Sequence, residues 1–393
     1  MQLTVDTAIL EAARALGPLI REHADEAEHQ RRLSRPVVDA LAEAGLLRLY
    51  VPKSLGGLET DPITCVRVVE EVSGFDSAAG WALMGANGIG WLVSRFPDEV
   101  AEEVYAESPT VPLATAFYPP MQAVPTDGGY RVSGRTPLSS TCHEARWFFF
   151  PTVVMDGDRP RLVDGAPQAI GTLVPAAECE IIDTWYSMGM RGSDSNDVAV
   201  HDAFVPTRRT CSLTSDFQLG RHYQGPLYRA PFIGVDSQVW GAVALALARG
   251  AIDEVCALAE RKTPLASVTP LRERASAQAK VGLAEATLQS GRLLLYDTLR
   301  DAWERTLAGE PSSLQQKADL LMAGVHAMQS AVKAVELMYA TAGTSGIYTR
   351  SRLERHFRDV QVLKQHGLLS ESRYETVGQV RLGLPPDLAV VAL

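Results

Sequence analysis

Three short stretches of this chain concentrate side chains able to hold a ligand or move a proton. Residues 135–143 read Arg-Thr-Pro-Leu-Ser-Ser-Thr-Cys-His and set the hydroxyls of Ser139, Ser140 and Thr141 between two strand-like runs. Hydroxyls fixed at a strand end can bond the polar ring atoms of a ligand. Residues 183–197 read DTWYSMGMRGSDSND. There Gly189 and Gly192 bracket Arg191, and Ser193, Ser195 and Asn196 add short polar side chains beside Trp185. Such a turn can present backbone N–H groups and hydroxyls to a polar edge. The third stretch joins Ala342-Gly-Thr-Ser-Gly-Ile-Tyr348, with Gly343 and Thr344, to Arg355-His-Phe-Arg-Asp359 and then His366. A histidine titrates near neutral pH and suits proton transfer. On a continuous helix it would lie two turns beyond Asp359 on the same face. Taken singly, each stretch also reads as something ordinary: a Ser/Thr-rich connection, a turn over a buried tryptophan, a helix with a capping histidine.

The elements that must position these residues fall into three zones. Residues 1–110 carry helical periodicity at 8–28, 37–47, 62–73 and 76–96, with a short helix at 98–106 after Pro97. The run GWALMGANGIGWLV is rich in small residues and reads as a buried helix. Residues 111–225 turn to β-branched and aromatic runs bounded by turns, at 130–134, 146–155, 169–175, 178–185 and 196–206. Asp127-Gly128-Gly129 reads as a hairpin turn. This zone is expected to form a small antiparallel barrel or sandwich. Residues 226–393 return to long helices at 238–260, 271–307 and 312–341, with another from 353 to about 369, which predicts a bundle able to assemble across subunits.

Composition excludes several function classes. The 393 residues carry 47 acidic and 37 basic side chains, a net charge of −10, with no dense basic patch for nucleic acid. Five widely spaced cysteines with no CxxC pair predict neither a zinc site nor a disulfide framework, and no metal is expected. They fit a reducing cytoplasm. The N-terminus lacks a basic, apolar leader, and no run of about 18 apolar residues would span a membrane. No GxGxxG dinucleotide motif is present, so no reductase domain is expected.

The order of three segments carries a family resemblance over nearly the full length. LAEAGLLRLYVPKSLGGLE, MGMRGSDSNDVAVHDAFVP and AGTSGIY…RHFRDVQ together resemble the acyl-CoA dehydrogenase superfamily. The resemblance implies a mainly α fold: an N-terminal helical domain, a small antiparallel β-barrel and a C-terminal four-helix bundle. It also implies flavin bound between subunits of a homotetramer. In the common dehydrogenase pattern the glutamate base would fall on Gly367. No carboxylate is there, and the nearest is Glu371.

RDVQVLKQH, followed by GQVRLGLPP, is instead similar to the flavin-dependent monooxygenase branch. These are oxygenase components of two-component systems that hydroxylate aromatic or polyketide-like molecules. This branch implies reduced FMN or FAD from a separate NAD(P)H-flavin reductase, O2 as co-substrate, and a C4a-(hydro)peroxyflavin. It implies His366 and Ser140 as catalytic residues, with Ser139, Ser140, Thr141, Trp185, Arg191, Gly192, Ser193, Gly343 and Thr344 at the cofactor. Trp91, Phe117 and Tyr118 are candidates for the substrate pocket wall. The Ser-Gly usual at the strand end is Ser140-Thr141 here. The histidine that several phenol hydroxylases carry before the Trp-x-x-x-x-Phe-Pro segment is absent from Asn87-Gly-Ile-Gly-Trp91. The alternatives are an acyl-CoA dehydrogenase or oxidase with a relocated base, an amine-oxidising monooxygenase, and a non-catalytic scaffold.

Overall fold

The computed structural model describes residues 5–213, 217–388 and 391; the extreme ends of the first and last zones, and 214–216 in the middle one, lie outside the described residues. Helices α1 (Thr7–Ala15), α2 (Gly17–Gln30), α3 (Arg35–Glu43), α4 (Pro62–Phe75), α5 (Ser77–Leu92) and α6 (Asp98–Val104) come first. The expected single helix over 8–28 is broken at Leu16, because Pro18 in the first turn of α2 has no N–H to continue the ladder. Asp61 and Asp76 cap α4 and α5 through their carboxylates. Nearly every side of α5 is buried, as its small and apolar sequence requires.

The middle zone holds β1 (Leu113–Thr115), β2 (Met121–Thr126), β3 (Gly129–Ser139), β4 (Trp147–Asp156), β5 (Arg159–Pro160), β6 (Leu162–Val163), β7 (Ala166–Pro167), β8 (Ala169–Pro175), β9 (Cys179–Ile182), β10 (Asn196–Pro206) and β11 (Thr210–Ser212). The principal sheet runs β11-β8-β4-β2-β3-β10-β9, with β1 and β5 also on β4. It does not close among the described residues, so the expected barrel is corrected to an open sheet. It is not purely antiparallel either: β1 and β2 both run parallel to β4. The β2–β3 hairpin turns at Asp127-Gly128, and the chain then crosses back to lay β4 beside β2. Phe148 and Phe150 pack inside the sheet's own core, while Phe149 points the other way, into the helical core. The imperfect alternation of β10 has a cause: its register with β3 shifts twice, between Asn196 and Val198 and between Val200 and Ala203.

The last zone comprises α7 (Phe232–Ala259), α8 (Ala275–Leu307), α9 (Leu314–Ala342), α10 (Arg352–Leu363) and α11 (Arg373–Arg381). Ser313 and Gln316 form a reciprocal capping box at the start of α9. One hydrophobic core runs through both helical zones, with α7 packed against α4, α5, α8, α9 and α10. The chain leaves α10 at Leu363 and makes two tight turns, so His366 is not helical as its spacing suggested. Among the described residues, no helix is long and apolar enough to cross a membrane.

Candidate functional site

The pairing of β3 with β10 ends at Ser139 opposite Asn196, so Ser140 and Ser195 face each other just beyond the last rung. Their hydroxyls lie 2.8 Å apart, and Ser195 continues to the Ser193 hydroxyl at 2.7 Å. Leu138 and Thr141, both with positive φ (64° and 58°), bracket Ser139 and Ser140. Non-glycine residues in that region are held only where the surroundings dictate it, commonly at binding sites. Here the Thr141 N–H donates to the Ser193 carbonyl at 2.9 Å and fixes the corner. Ser139 is fully buried and its hydroxyl has no partner. A cleft of about 200 Å³ opens here, lined by Leu138, Thr184, Trp185, Tyr186, Ser187, Ser195 and Asp197.

Trp81 on α5 joins this serine corner to His366. Its indole N–H donates to Ser140 Oγ at 3.0 Å, and its ring meets His366 edge-on at 5.6 Å between centroids. Trp240 on α7 also packs on the imidazole, tilted at 4.6 Å between centroids. Burial lowers the imidazole pKa from 6.5 to about 4, so the ring is neutral at physiological pH. Its Nδ1 is buried without a partner. A buried ring nitrogen left unsatisfied carries a cost that a bound ligand can relieve. The sequence names His366 and Ser140, which the structure brings to the two sides of one tryptophan, and does not single out Trp81 or Trp240. Nothing distinguishes these tryptophans from core residues until the helices are docked.

The MGMRGS turn and the RHFRD segment meet as well, for a structural reason. Asp359 is buried; one of its oxygens accepts from the Met190 N–H and the other from the Ser77 hydroxyl, both at 2.6 Å. Burial pushes its carboxyl up to about 6, against the opposing pull of those two bonds. Arg358 donates to the Met188 carbonyl at 2.6 Å. Gly189 is required because a Cβ there would lie 2.5 Å from the Arg358 carbonyl group. Gly192 packs on Ala27 and Ala78, and Arg191 is committed to the Ser187 carbonyl and Glu28. Arg191 and Gly192 therefore fasten the turn to the N-terminal helices instead of lining the cleft, whereas Trp185 lines it with its N–H tied to the Met190 and Arg191 carbonyls.

The remaining expected site residues scatter. Gly343 and Thr344 lie exposed at the end of α9, and no described contact joins them to the serine corner. Trp91, 3% exposed, is wedged between Tyr50 and Phe232 in the core, which corrects its expected place on a pocket wall. Tyr118 is 81% exposed, and Phe117 is half-exposed beside Phe149. Asn87, at the segment without a histidine, braces the chain by accepting from Leu49 N and donating to the Leu46 carbonyl. Gly367 offers no carboxylate, and Glu371 is exposed. Cys142, His143 and Asp194 cluster closely, but hydrogen bonds among themselves and with Asn196 already occupy them.

Comparison with known proteins places this architecture. Residues 7–107 match the acyl-CoA dehydrogenase N-terminal domain, and residues 238–371 match the acyl-CoA dehydrogenase C-terminal domain. The indole-3-acetate monooxygenase of Pseudomonas putida is 31% identical over 93% of this chain and 91% of its own. The chain belongs to the acyl-CoA dehydrogenase family. Within that family its relatives are flavin-dependent monooxygenases, which makes it an oxidoreductase. The oxygenase subunit HsaA of Mycobacterium tuberculosis is 28% identical over 98% of both chains. The crystal structure of HsaA superposes with a TM-score of 0.89 at 25% identity, covering 98% of this chain and 100% of the other. XiaF from Streptomyces sp., in complex with FADH2 and glycerol, shares the fold at a TM-score of 0.89 and 24% identity, covering 97% and 96%. In this acyl-CoA dehydrogenase family member, the segments that carried the resemblance are thus partly a clamp (Asp359 on Met190) and partly the lining of a cleft.

Proposed function

We propose that this chain is the oxygenase component of a two-component system that hydroxylates an aromatic or polyketide-like molecule. The observation that carries this reading is the meeting of His366 and Ser140 across Trp81, beside a cleft lined by Trp185 and Ser195. The residues present fit a flavin: the Ser139 hydroxyl is unpartnered, the Ser140, Ser195 and Ser193 hydroxyls stand at the corner, and Trp185 offers an aromatic wall. Reduced FMN or FAD, when bound, supplies the two electrons that let O2 give one atom to the substrate and the other to water.

The protein's own part is to hold, orient and exclude water. The linked hydroxyls of Ser140, Ser195 and Ser193 can each turn to donate or accept, so they can follow a change of charge at the cofactor's polar edge. His366 stays neutral between two tryptophans and can accept a proton from a substrate O–H or N–H at Nδ1. Trp81 and Trp240 keep water from that nitrogen. Gly343 and Thr344, exposed on one protomer, are assigned to the cofactor site of a neighbouring subunit in a homotetramer. The reductase is a separate chain, and both act in the cytoplasm.

Replacing Ser140 by alanine removes its bond to the cofactor and its link to Ser195, and orphans the Trp81 N–H. Reduced-flavin affinity should fall roughly three- to tenfold, and more of the oxygen consumed should leave as hydrogen peroxide. Titration of reduced FMN and FAD under anaerobic conditions, with a peroxide assay in air, measures both. Unchanged affinity and unchanged peroxide yield would remove Ser140 from the site.

A further inference from the structure

Helices α5 and α7 cross the core antiparallel in a regular register. Trp91 meets Phe232, Gly88 sits against Asp236, and Met84 Sδ accepts from the Trp240 indole N–H at 2.9 Å. Trp81, one turn further along α5, reaches His366, which Trp240 also touches. The rungs at Gly88–Asp236 and at Met84–Trp240 are each about one helical turn apart. Gly85 lies on the stripe shared by Trp81 and Gly88, and a Cβ on it would meet nothing within 4 Å. The open space beside Gly85 thus lies along α5 between Trp81, which meets His366, and Gly88, which meets Asp236. From Trp81 to Gly88 is about 10 Å along the helix axis, the length of one fused aromatic ring system.

Asp236 is anomalous for a core position. It is 7% exposed, yet its carboxylate takes part in no hydrogen bond or ion pair among the described residues. A buried carboxylate without a partner is costly and is retained where it meets a ligand. Gly88 lets α5 pack close to it; a Cβ there would stand 3.0 Å from Asp236 Oδ1. Its titratable neighbours offer no compensating cation. The Tyr50 hydroxyl, buried and unpartnered, is pushed well above its ordinary value, and the Cys65 thiol is pushed up to about 12, so both are neutral. Burial alone raises the Asp236 carboxyl to about 7, leaving it able to accept a hydrogen bond at physiological pH.

We propose that Asp236 is a specificity-determining residue that accepts a hydrogen bond from an N–H or O–H on the aromatic substrate, at the end of the molecule remote from His366. This rests on the monooxygenase reading and adds a substrate class to it: planar aromatics with a polar donor, held between the two helices. Asp236 holds the ring; it is not assigned a proton transfer.

Binding of near-isosteric pairs tests this without flavin, so its failure is distinguishable from failure of the monooxygenase reading. Calorimetric titration would compare indole with benzothiophene, and phenol with toluene, on the wild-type protein and on Asp236→Asn and Asp236→Leu. Circular dichroism would check that both variants fold. The wild type should bind each donor about tenfold tighter than its partner. That preference should fall to within about twofold in Asp236→Leu and survive in part in Asp236→Asn, whose amide oxygen still accepts. Equal binding of the two members of each pair, no binding of any probe, or a preference unchanged in Asp236→Leu would each overturn the proposal. If Asp236→Leu does not fold, the asparagine variant decides: loss of at least half of the preference, in free-energy terms, supports the assignment, and an unchanged preference overturns it.

Discussion

His366→Ala is expected to lower product formation by about 100-fold or more, the scale of a positioned proton acceptor, while the fold persists. The imidazole makes no hydrogen bond that holds the chain in place; its Nδ1 is unpartnered and its contacts are the faces and edges of Trp81 and Trp240. Truncation therefore leaves a small void and not an unsatisfied group. Oxygen consumption should continue and be diverted to hydrogen peroxide, because the cofactor corner at Ser140 is intact. The pH dependence follows the same geometry. A free histidine loses its neutral form as pH falls through 6.5, whereas burial lowers this one to about 4. Turnover limited by its basic form should hold through pH 6 and decline only as pH falls toward 4. Product and peroxide yields across pH 4–8, for wild type and variant, check both. Unchanged turnover in His366→Ala would remove it from the chemistry, and a wild-type break near 6.5 would contradict its burial.

Asp359→Ala should be the most damaging substitution for stability. Its two oxygens satisfy the buried Met190 N–H and the Ser77 hydroxyl, and no other acceptor is placed to replace them. Leaving buried donors unpaired at a charge-assisted bond costs on the order of 3 kcal/mol. The loss would fall on the 188–192 turn and the first turn of α5, which carries Trp81 four residues beyond Ser77. Asp359→Asn should cost less, since its carbonyl still accepts from Met190. It also removes a charge whose burial is unfavourable. Thermal midpoints of the three proteins, with reduced-flavin affinity measured beside them, test this order. Equal midpoints for wild type and Asp359→Ala would show that the clamp contributes nothing.

Much of the architecture was legible because its signals are local. Strand limits at Trp147–Asp156 and Asn196–Pro206 follow from β-branched and aromatic runs between turns, and the long helix α9 follows from its periodicity. What failed was what depends on docking. Closure of the sheet is a property of strand order, and β4 lying parallel beside β2 leaves no trace in either strand. The helix carrying the RHFRD segment stops at Leu363, although the pattern beyond it remains compatible with helix. The same division runs through the site. Ser140 and His366 are residue types that announce chemistry. Trp81, Trp240 and Asp236 acquire meaning only when α5 and α7 are set side by side. Trp91 shows the converse, for its ring is as suggestive in sequence as that of Trp81, yet it is filled in on both sides.

The central claim is that this chain receives reduced flavin and controls its reaction with oxygen. Purified protein mixed anaerobically with chemically reduced FMN, and separately FAD, would be pushed against oxygenated buffer while flavin absorbance is followed on the stopped-flow timescale. The account predicts that, with one of the two flavins, oxidised flavin appears in a delayed second phase, clearly slower than for the same flavin free in solution. Reoxidation indistinguishable from that of free flavin with both cofactors, in a sample that loaded with FAD is bleached by an acyl-CoA, would contradict it.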